Sequence, residues 1–239
     1  ELEKLKKQAN ESLLEIERLK QQLALAQQPS PTQTTSKHTS QAIRRTYDKT
    51  IQELSAREFL EQGITYRNNR QYEQSIAAFT RAGQLAPDWA QPHIGVGVAL
   101  LRLKQYQPAQ EAFAQACAVE PDNAVALSFY GVSLFMNGQQ AAGSTQIELA
   151  VTKVPNDPVV LINRGWLHLM KFEPAKSIEL LTRVLVLQEM KNPRALYFRG
   201  LAYRQLGERD KAEHDLEQAA ALGESDAVDA LQRLQRSGR

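Results

Sequence analysis

Residues 90–123 read AQPHIGVGVALLRLKQYQPAQEAFAQACAVEPDN, and this stretch decides the fold. It divides into two amphipathic helices, about 90–103 and 106–119, which we term helix A and helix B. Pro108 falls in the first turn of helix B, where a missing N–H costs nothing. Gly97 lies inside helix A and faces the small residue Ala109, a pairing that lets two helices approach closely. Gly97 has counterparts up and down the chain: Gly63, Gly131, Gly165 and Gly200, at intervals of 34, 34, 34 and 35 residues.

Three further columns keep the same phase. Twelve residues after each glycine stands a small residue: Ser75, Ala109, Gly143, Ser177, Ala212. Sixteen after is bulky: Phe79, Phe113, Ile147, Leu181, Leu216. Nineteen after is Ala82, Ala116, Ala150, Val184, Ala219. Pro87, Pro121 and Pro155 close the first three units, Pro174 opens helix B of the fourth, and Gly138 and Gly207 mark reversals after helix A. A unit of this size cannot bury its apolar face alone, so the period predicts a stacked array. The units are 56–89, 90–123, 124–157, 158–192 and 193–226. In the fourth, Glu189 replaces the expected Pro and one extra residue precedes Pro193, which predicts a local irregularity.

The flanks differ. Residues 1–28 carry a heptad, with Leu2, Ala9, Ile16 and Leu23 in one row and Leu5, Ser12, Leu19 and Ala26 in the other. That predicts a coiled-coil helix, and with it a homodimer through residues 1–28. The alternatives are a helix packed on its own domain, or one folded over the groove as a lid. Residues 29–40, rich in Pro, Thr, Ser and Gln, read as a flexible linker. Residues 41–55 form a lead-in helix capped by Ser40, with Ile43, Tyr47, Ile51 and Leu54 on one face. Residues 227–239 supply a C-terminal capping helix and tail; Ala227, Val228, Leu231 and Leu234 face inward.

The repeated pattern, with Tyr66 and Tyr203 three residues after the glycine, resembles the tetratricopeptide repeat. The resemblance covers 56–226. Departures exist: the Leu usual before the glycine is Gln62, Val96, Tyr130, Arg164 and Arg199, and the early Trp is Phe59, His93, Leu127, Leu161 and Leu196. The resemblance implies an all-α fold, a right-handed α-solenoid of helix–turn–helix repeats behind the N-terminal coiled-coil helix. It also implies a concave groove lined by a second stripe of helix A, at three before, one after and four after each glycine.

That stripe reads Leu60, Ile64, Arg67; Ile94, Val98, Leu101; Ser128, Val132, Phe135; Ile162, Trp166, Leu169; Tyr197, Leu201, Arg204. Met136 and Met170 flank it. An exposed apolar trough of this kind marks a binding surface. Phe135, Trp166, Leu169 and Tyr197 are its expected anchors, with Arg67 and Arg204 at the two ends, while Val98 and Val132, nearest the glycines, are the positions that tighter curvature would bury. Family members that clamp acidic C-terminal tails use Lys and Asn at the first groove positions. Here these are Leu60, Ile64, Ile94 and Val98, so that role is not implied.

Chemistry is not evident. Lys and Arg number 29 against 27 Asp and Glu, a net charge of +2, which argues against a nucleic-acid binder. The single Cys117 excludes an internal disulfide and reads as a buried thiol. His38, His93, His168 and His214 lack metal-ligand spacing, and no phosphate loop or triad is found. No apolar run reaches the roughly 18 residues of a membrane span. The expectation is a non-enzymatic scaffold of the cytoplasm, without cofactor or metal, whose groove binds an apolar or amphipathic segment of a protein partner. The alternative is a regulatory or targeting module of a larger enzyme or membrane-anchored protein lying upstream of Glu1.

Overall fold

The computed structural model describes residues 2–26 and 33–236. These residues form twelve α-helices and no strand: α1 (Leu2–Ala26), α2 (Gln33–Asn68), α3 (Tyr72–Leu85), α4 (Ala90–Arg102), α5 (Tyr106–Val119), α6 (Ala124–Met136), α7 (Gln140–Lys153), α8 (Pro158–Met170), α9 (Pro174–Leu187), α10 (Pro193–Gln205), α11 (Arg209–Ala221) and α12 (Ser225–Arg236). They fall into two compact units, Glu1–Glu120 and Pro121–Arg239. Each is an all-α stack in which helix A packs on its own helix B and on the next helix A.

In the first unit the order is α1 on α2, α2 on α3, α3 on α4 and α4 on α5, with α2 also touching α4. The bulky column explains the order. A Cβ placed on Gly63 would lie 2.7 Å from the Phe79 ring, and one on Gly95 would meet the same ring at the same distance. Phe79 is thus held between its own helix A and the next. Ser75 Oγ donates to the Gly63 carbonyl at 2.8 Å, sealing the same crossing. Gly97 repeats the arrangement, with its virtual Cβ 2.6 Å from Phe113 Cζ. At the start of α4, where Trp89 offers no side-chain cap, the Ala90 N–H is received by Glu120 Oε1 at 3.2 Å.

The heptad of residues 1–28 pairs within the chain. Arg57 donates to Ser12, and Leu5 packs on the cluster of Leu60, Ile64, Phe79 and Ala82, so α1 runs antiparallel to α2. Ile16 and Leu19 are buried, and Leu5, Ala9, Ser12 and Leu23 are half-buried along the same seam. The seam read from sequence is therefore present, but it meets α2 of the same chain. This corrects the reading of a helix held apart by a linker. A homodimer through residues 1–28 would have to compete with that pairing. The linker reading of 29–40 is corrected in part: residues 33–40 belong to α2, and 29–32 lie outside the described residues. Extending a helix costs far less than nucleating one, so the strongly helical 41–68 carries its polar lead-in with it. The lead-in helix and the first helix A are one helix, and Ile51, grouped with Ile43, Tyr47 and Leu54 on one face, is exposed.

In the second unit α6, α8 and α10 follow one another, α8 touching both others, and each carries its helix B: α7, α9 and α11. The starts of helix A are capped by side chains. Asn123 receives Ala126 N–H, Asp157 receives Val159 and Val160 N–H, and Asn192 receives Ala195 N–H. The A–B turn repeats a left-handed residue, Gly138, Phe172 and Gly207, as Arg70 and Lys104 do in the first unit. The irregularity expected at the end of the fourth repeat is there: Glu189 and Met190 are both left-handed, and α10 starts normally after them. On α12, Ala227, Ala230 and Leu234 face inward; Val228, assigned to that face, is exposed. Residues 237–239 of the tail lie outside the described residues.

The tightest crossing is α6 with α7. A Cβ on Gly143 would lie 2.5 Å from the Gly131 carbonyl oxygen and 2.7 Å from Phe135 N, both backbone atoms that cannot turn aside. Ala normally gains about 1 kcal/mol over Gly inside a helix, while overpacking of this kind costs about 1–3 kcal/mol. The steric cost prevails because no side chain can yield. Gly143→Ala is expected to lower unfolding stability by about 1–2 kcal/mol in a urea titration. A variant at least as stable as the parent would contradict so close a crossing.

Candidate functional site

Helix A places every third and fourth residue on the face turned away from helix B, and the predicted binding stripe lies there. The two units treat it differently. In the first, Leu60 and Ile64 are only 4% exposed and packed with Leu5 of α1. Ile94, Val98 and Leu101 on α4 are half-buried, so Val98 is not lost to curvature. Arg67 is half-buried too, with its guanidinium 5.9 Å from the Phe79 ring centroid.

In the second unit several expected anchors prove to be core. Trp166 is 8% exposed and Leu169 1%, and Ile162 and Val132 are also buried. The stripe was expected to have no intramolecular partner. It has one, because neighbouring A helices cover each other: Phe135 of α6 meets Trp166 of α8 edge-to-face, with centroids 5.4 Å apart and planes at 78°. Ser128 and Asn163 are buried and joined by an Asn163 Nδ2 to Ser128 Oγ bond of 2.9 Å, and the Ser128 hydroxyl donates in turn to the Val125 carbonyl at 2.9 Å. Trp166→Ala would open a cavity at a cost on the order of 3–5 kcal/mol, so Trp166 is a residue of the fold first.

Six of the predicted positions in this unit remain open to solvent. Phe135, Tyr197 and Leu201 are half-buried, and Met136, Met170 and Arg204 are exposed. Tyr197 leans on Phe198 with centroids 5.2 Å apart, and burial, helped by the nearby Asp226 carboxylate, pushes its hydroxyl above the usual range. It is therefore a neutral donor on an apolar ring, a group suited to the edge of a protein contact. The pattern search missed Phe172, 81% exposed in the A–B turn beside Met170. Its signal was a bulky residue where the third and fifth repeats place Gly138 and Gly207.

The remaining polar groups are structural. Arg199 holds Asp215 through two bonds, Nε at 2.6 Å and a terminal nitrogen at 2.8 Å, and also reaches Thr182 at 3.2 Å. The Asp215 carboxylate raises the pKa of the guanidinium further. His168 Nδ1 lies 2.6 Å from Glu173, which also receives Lys176; these contacts hold Glu173 below the usual carboxylate range. Burial lowers the pKa of His93, which favours the neutral ring. Among the described residues no group of three His, Cys, Asp or Glu can hold a metal, and no helix is long and apolar enough to cross a membrane. An open recess along α2, lined by Glu58, Glu61, Gln62, Thr65 and Tyr66, has no nucleophile paired with a base, and the Thr65 hydroxyl donates to the Glu61 carbonyl.

Cys117 is half-buried, and burial pushes its thiol up to about 11 from 9.0. That rise leaves about a hundredfold less thiolate at neutral pH than in the unfolded chain. Reaction with a disulfide reagent at pH 8 should therefore be about a hundredfold slower in the native protein than in denaturant. Equal rates would show an open, ordinary thiol.

With the geometry established, the chain can be set beside known proteins. Two tetratricopeptide-repeat family models match it, over residues 96–158 and 193–226, the latter spanning the fifth unit. No curated protein matches its sequence. Among solved structures it is similar to a thermophilic TPR protein of Thermus thermophilus, at 19% identity and TM-score 0.62, over 76% of this chain and 97% of that one. It is also similar to the human IFIT1 dimer with m7Gppp-AAAA, at 19% identity and TM-score 0.67, over 98% of this chain and 62% of that one. A third is a chain of the APC/C hetero-tetramer Cut9–Hcn1, at 16% identity and TM-score 0.61, over 82% of this chain. The chain spans 43% of the length of the Cut9–Hcn1 chain. At such identities the likeness is one of fold.

Proposed function

The chain is a tetratricopeptide-repeat protein, and from that premise we propose that it is a non-enzymatic scaffold whose second unit holds an apolar segment of a partner protein. Members of this family generally serve as protein-interaction scaffolds. The observation that carries the reading is the row of partly open apolar side chains on successive A helices: Phe135 and Met136 on α6, Met170 on α8, Tyr197 and Leu201 on α10. Their packed neighbours, Trp166 and Leu169, form a rigid floor beneath them. A rigid floor with adaptable Met at its margin suits an amphipathic helix or an extended strand. Arg204, exposed at the end of α10, would orient it.

The test separates this face from the rest of the surface. A neutral amphipathic peptide with a leucine stripe, labelled with a fluorophore, is titrated with the full chain and its variants. Tyr197→Ala and Leu201→Ala each remove about 1–2 kcal/mol of burial and should weaken binding about five- to thirtyfold. Leu149→Ala, on the exposed side of α7, should leave it unchanged. Loss of binding with Leu149→Ala alone would move the site to the helix B face.

A further inference from the structure

The second unit has a feature that the groove pattern does not account for. Three successive A helices end side by side: α6 at Met136, α8 at Met170, and α10 at Gln205 followed by Leu206. Met136 and Met170 are both 37% exposed, and Leu206 and Phe172 are exposed beside them. Solvent-facing Met and Phe in a row mark an interaction surface.

Phe172 stands out by the apolar area it leaves in solvent. It is 81% exposed, while its φ of 57° is the left-handed conformation that Arg70, Lys104, Gly138 and Gly207 take in the other A–B turns. The turn itself does not need it. Phe172 N–H reaches the Leu169 carbonyl and Glu173 N–H the His168 carbonyl; Gly138 and Gln139, and Gly207 and Glu208, make the same two bonds in the neighbouring repeats. Arg70 and Lys104 make them too, so the turn is served equally well by glycine or by a charged residue, and a large exposed aromatic stands where folding gains nothing from its ring.

The rim supplies the charge. Lys171 and Arg204 are exposed and enter no ion pair among the described residues. The carboxylates nearby are already engaged, Glu173 by His168 and Lys176, and Glu208 by Lys211. The apolar edge is thus bordered by available positive charge. Helix ends spaced about 8–10 Å apart make an edge about 16–20 Å long, the reach of a helix of about 11–13 residues, to which charged flanks add a few more.

We propose that the A–B turn edge of the second unit, centred on Phe172 between Met170 and Leu206, docks an amphipathic helix with acidic flanks opposite Lys171 and Arg204. The proposal rests on the scaffold reading and names its partner's chemistry, a helix rather than an extended strand, with the contact carried over the end of the A helices.

The test titrates the full chain against two labelled peptides of about 18 residues, both with the same Leu and Phe stripe, one ending in Glu and the other in Lys. The Glu peptide should bind at least tenfold more tightly. Phe172→Gly should keep or raise the unfolding midpoint yet weaken the Glu peptide at least tenfold, and Lys171→Glu with Arg204→Glu should reverse the preference. If Phe172→Gly binds as the parent does while Tyr197→Ala weakens, the edge proposal fails and the scaffold face stands. If neither variant has an effect, or neither peptide binds, both fail. Equal affinity for the two peptides overturns the acidic partner. Self-association lost only in Phe172→Gly would make the occupant a second copy, and tighter binding to anionic vesicles than to peptide would make it a membrane; either overturns the proposal.

Discussion

The contact of each helix A glycine with the bulky residue sixteen positions later is the constraint on which the rest of the structure depends. In all five repeats a methyl group on the glycine would lie within 3 Å of its partner or of the facing backbone. The glycine's missing side chain is the partner's seat. This fixes how far apart helices A and B lie, and so which face of helix A is left for its neighbours. A larger side chain at that point of helix A would push each pair apart and break the stacking that follows.

From that spacing comes the fate of the binding stripe. With helices A and B drawn close, successive A helices also draw close enough for Phe135 to meet Trp166 and for α8 to touch both α6 and α10. Part of the stripe then becomes a floor, and only its margin stays open. What remains uncovered is that margin, because burial of the largest side chains of the stripe is what holds the unit together. The first unit treats the same positions in another way. There α1 lies along α2 and covers Leu60 and Ile64.

The repeat was legible because a period of 34 residues places one signal in the same phase five times, and the helix bounds follow from it closely: helix A of the second repeat reads 90–103 and is Ala90–Arg102. The partner of the heptad was not. A seam such as Leu5, Ser12 and Leu19 declares that a helix will face it, and says nothing of whose helix. The Pro- and Thr-rich stretch misled in its second half, since composition speaks to burial and not to a helix propagating from its neighbour. For the stripe, periodicity picked out one face of helix A but not the depth of each residue on it. Trp166 and Leu201 occupy the same stripe position, one after the glycine, yet one is core and the other half-buried, and only the approach of neighbouring helices decides between them. Phe172 escaped notice because a single turn residue carries no period.

The central claim is that the glycine and the bulky residue are one physical unit. A double-mutant cycle on Gly97 and Phe113 measures that directly, using urea unfolding of the parent, Gly97→Ala, Phe113→Leu and the double variant. A Cβ on Gly97 would lie 2.6 Å from Phe113 Cζ, an atom that leucine lacks. The two substitutions should therefore compensate, leaving the double variant more stable than the sum of the single effects by about 1 kcal/mol or more. Strict additivity would mean that the two residues do not share the space assigned to them.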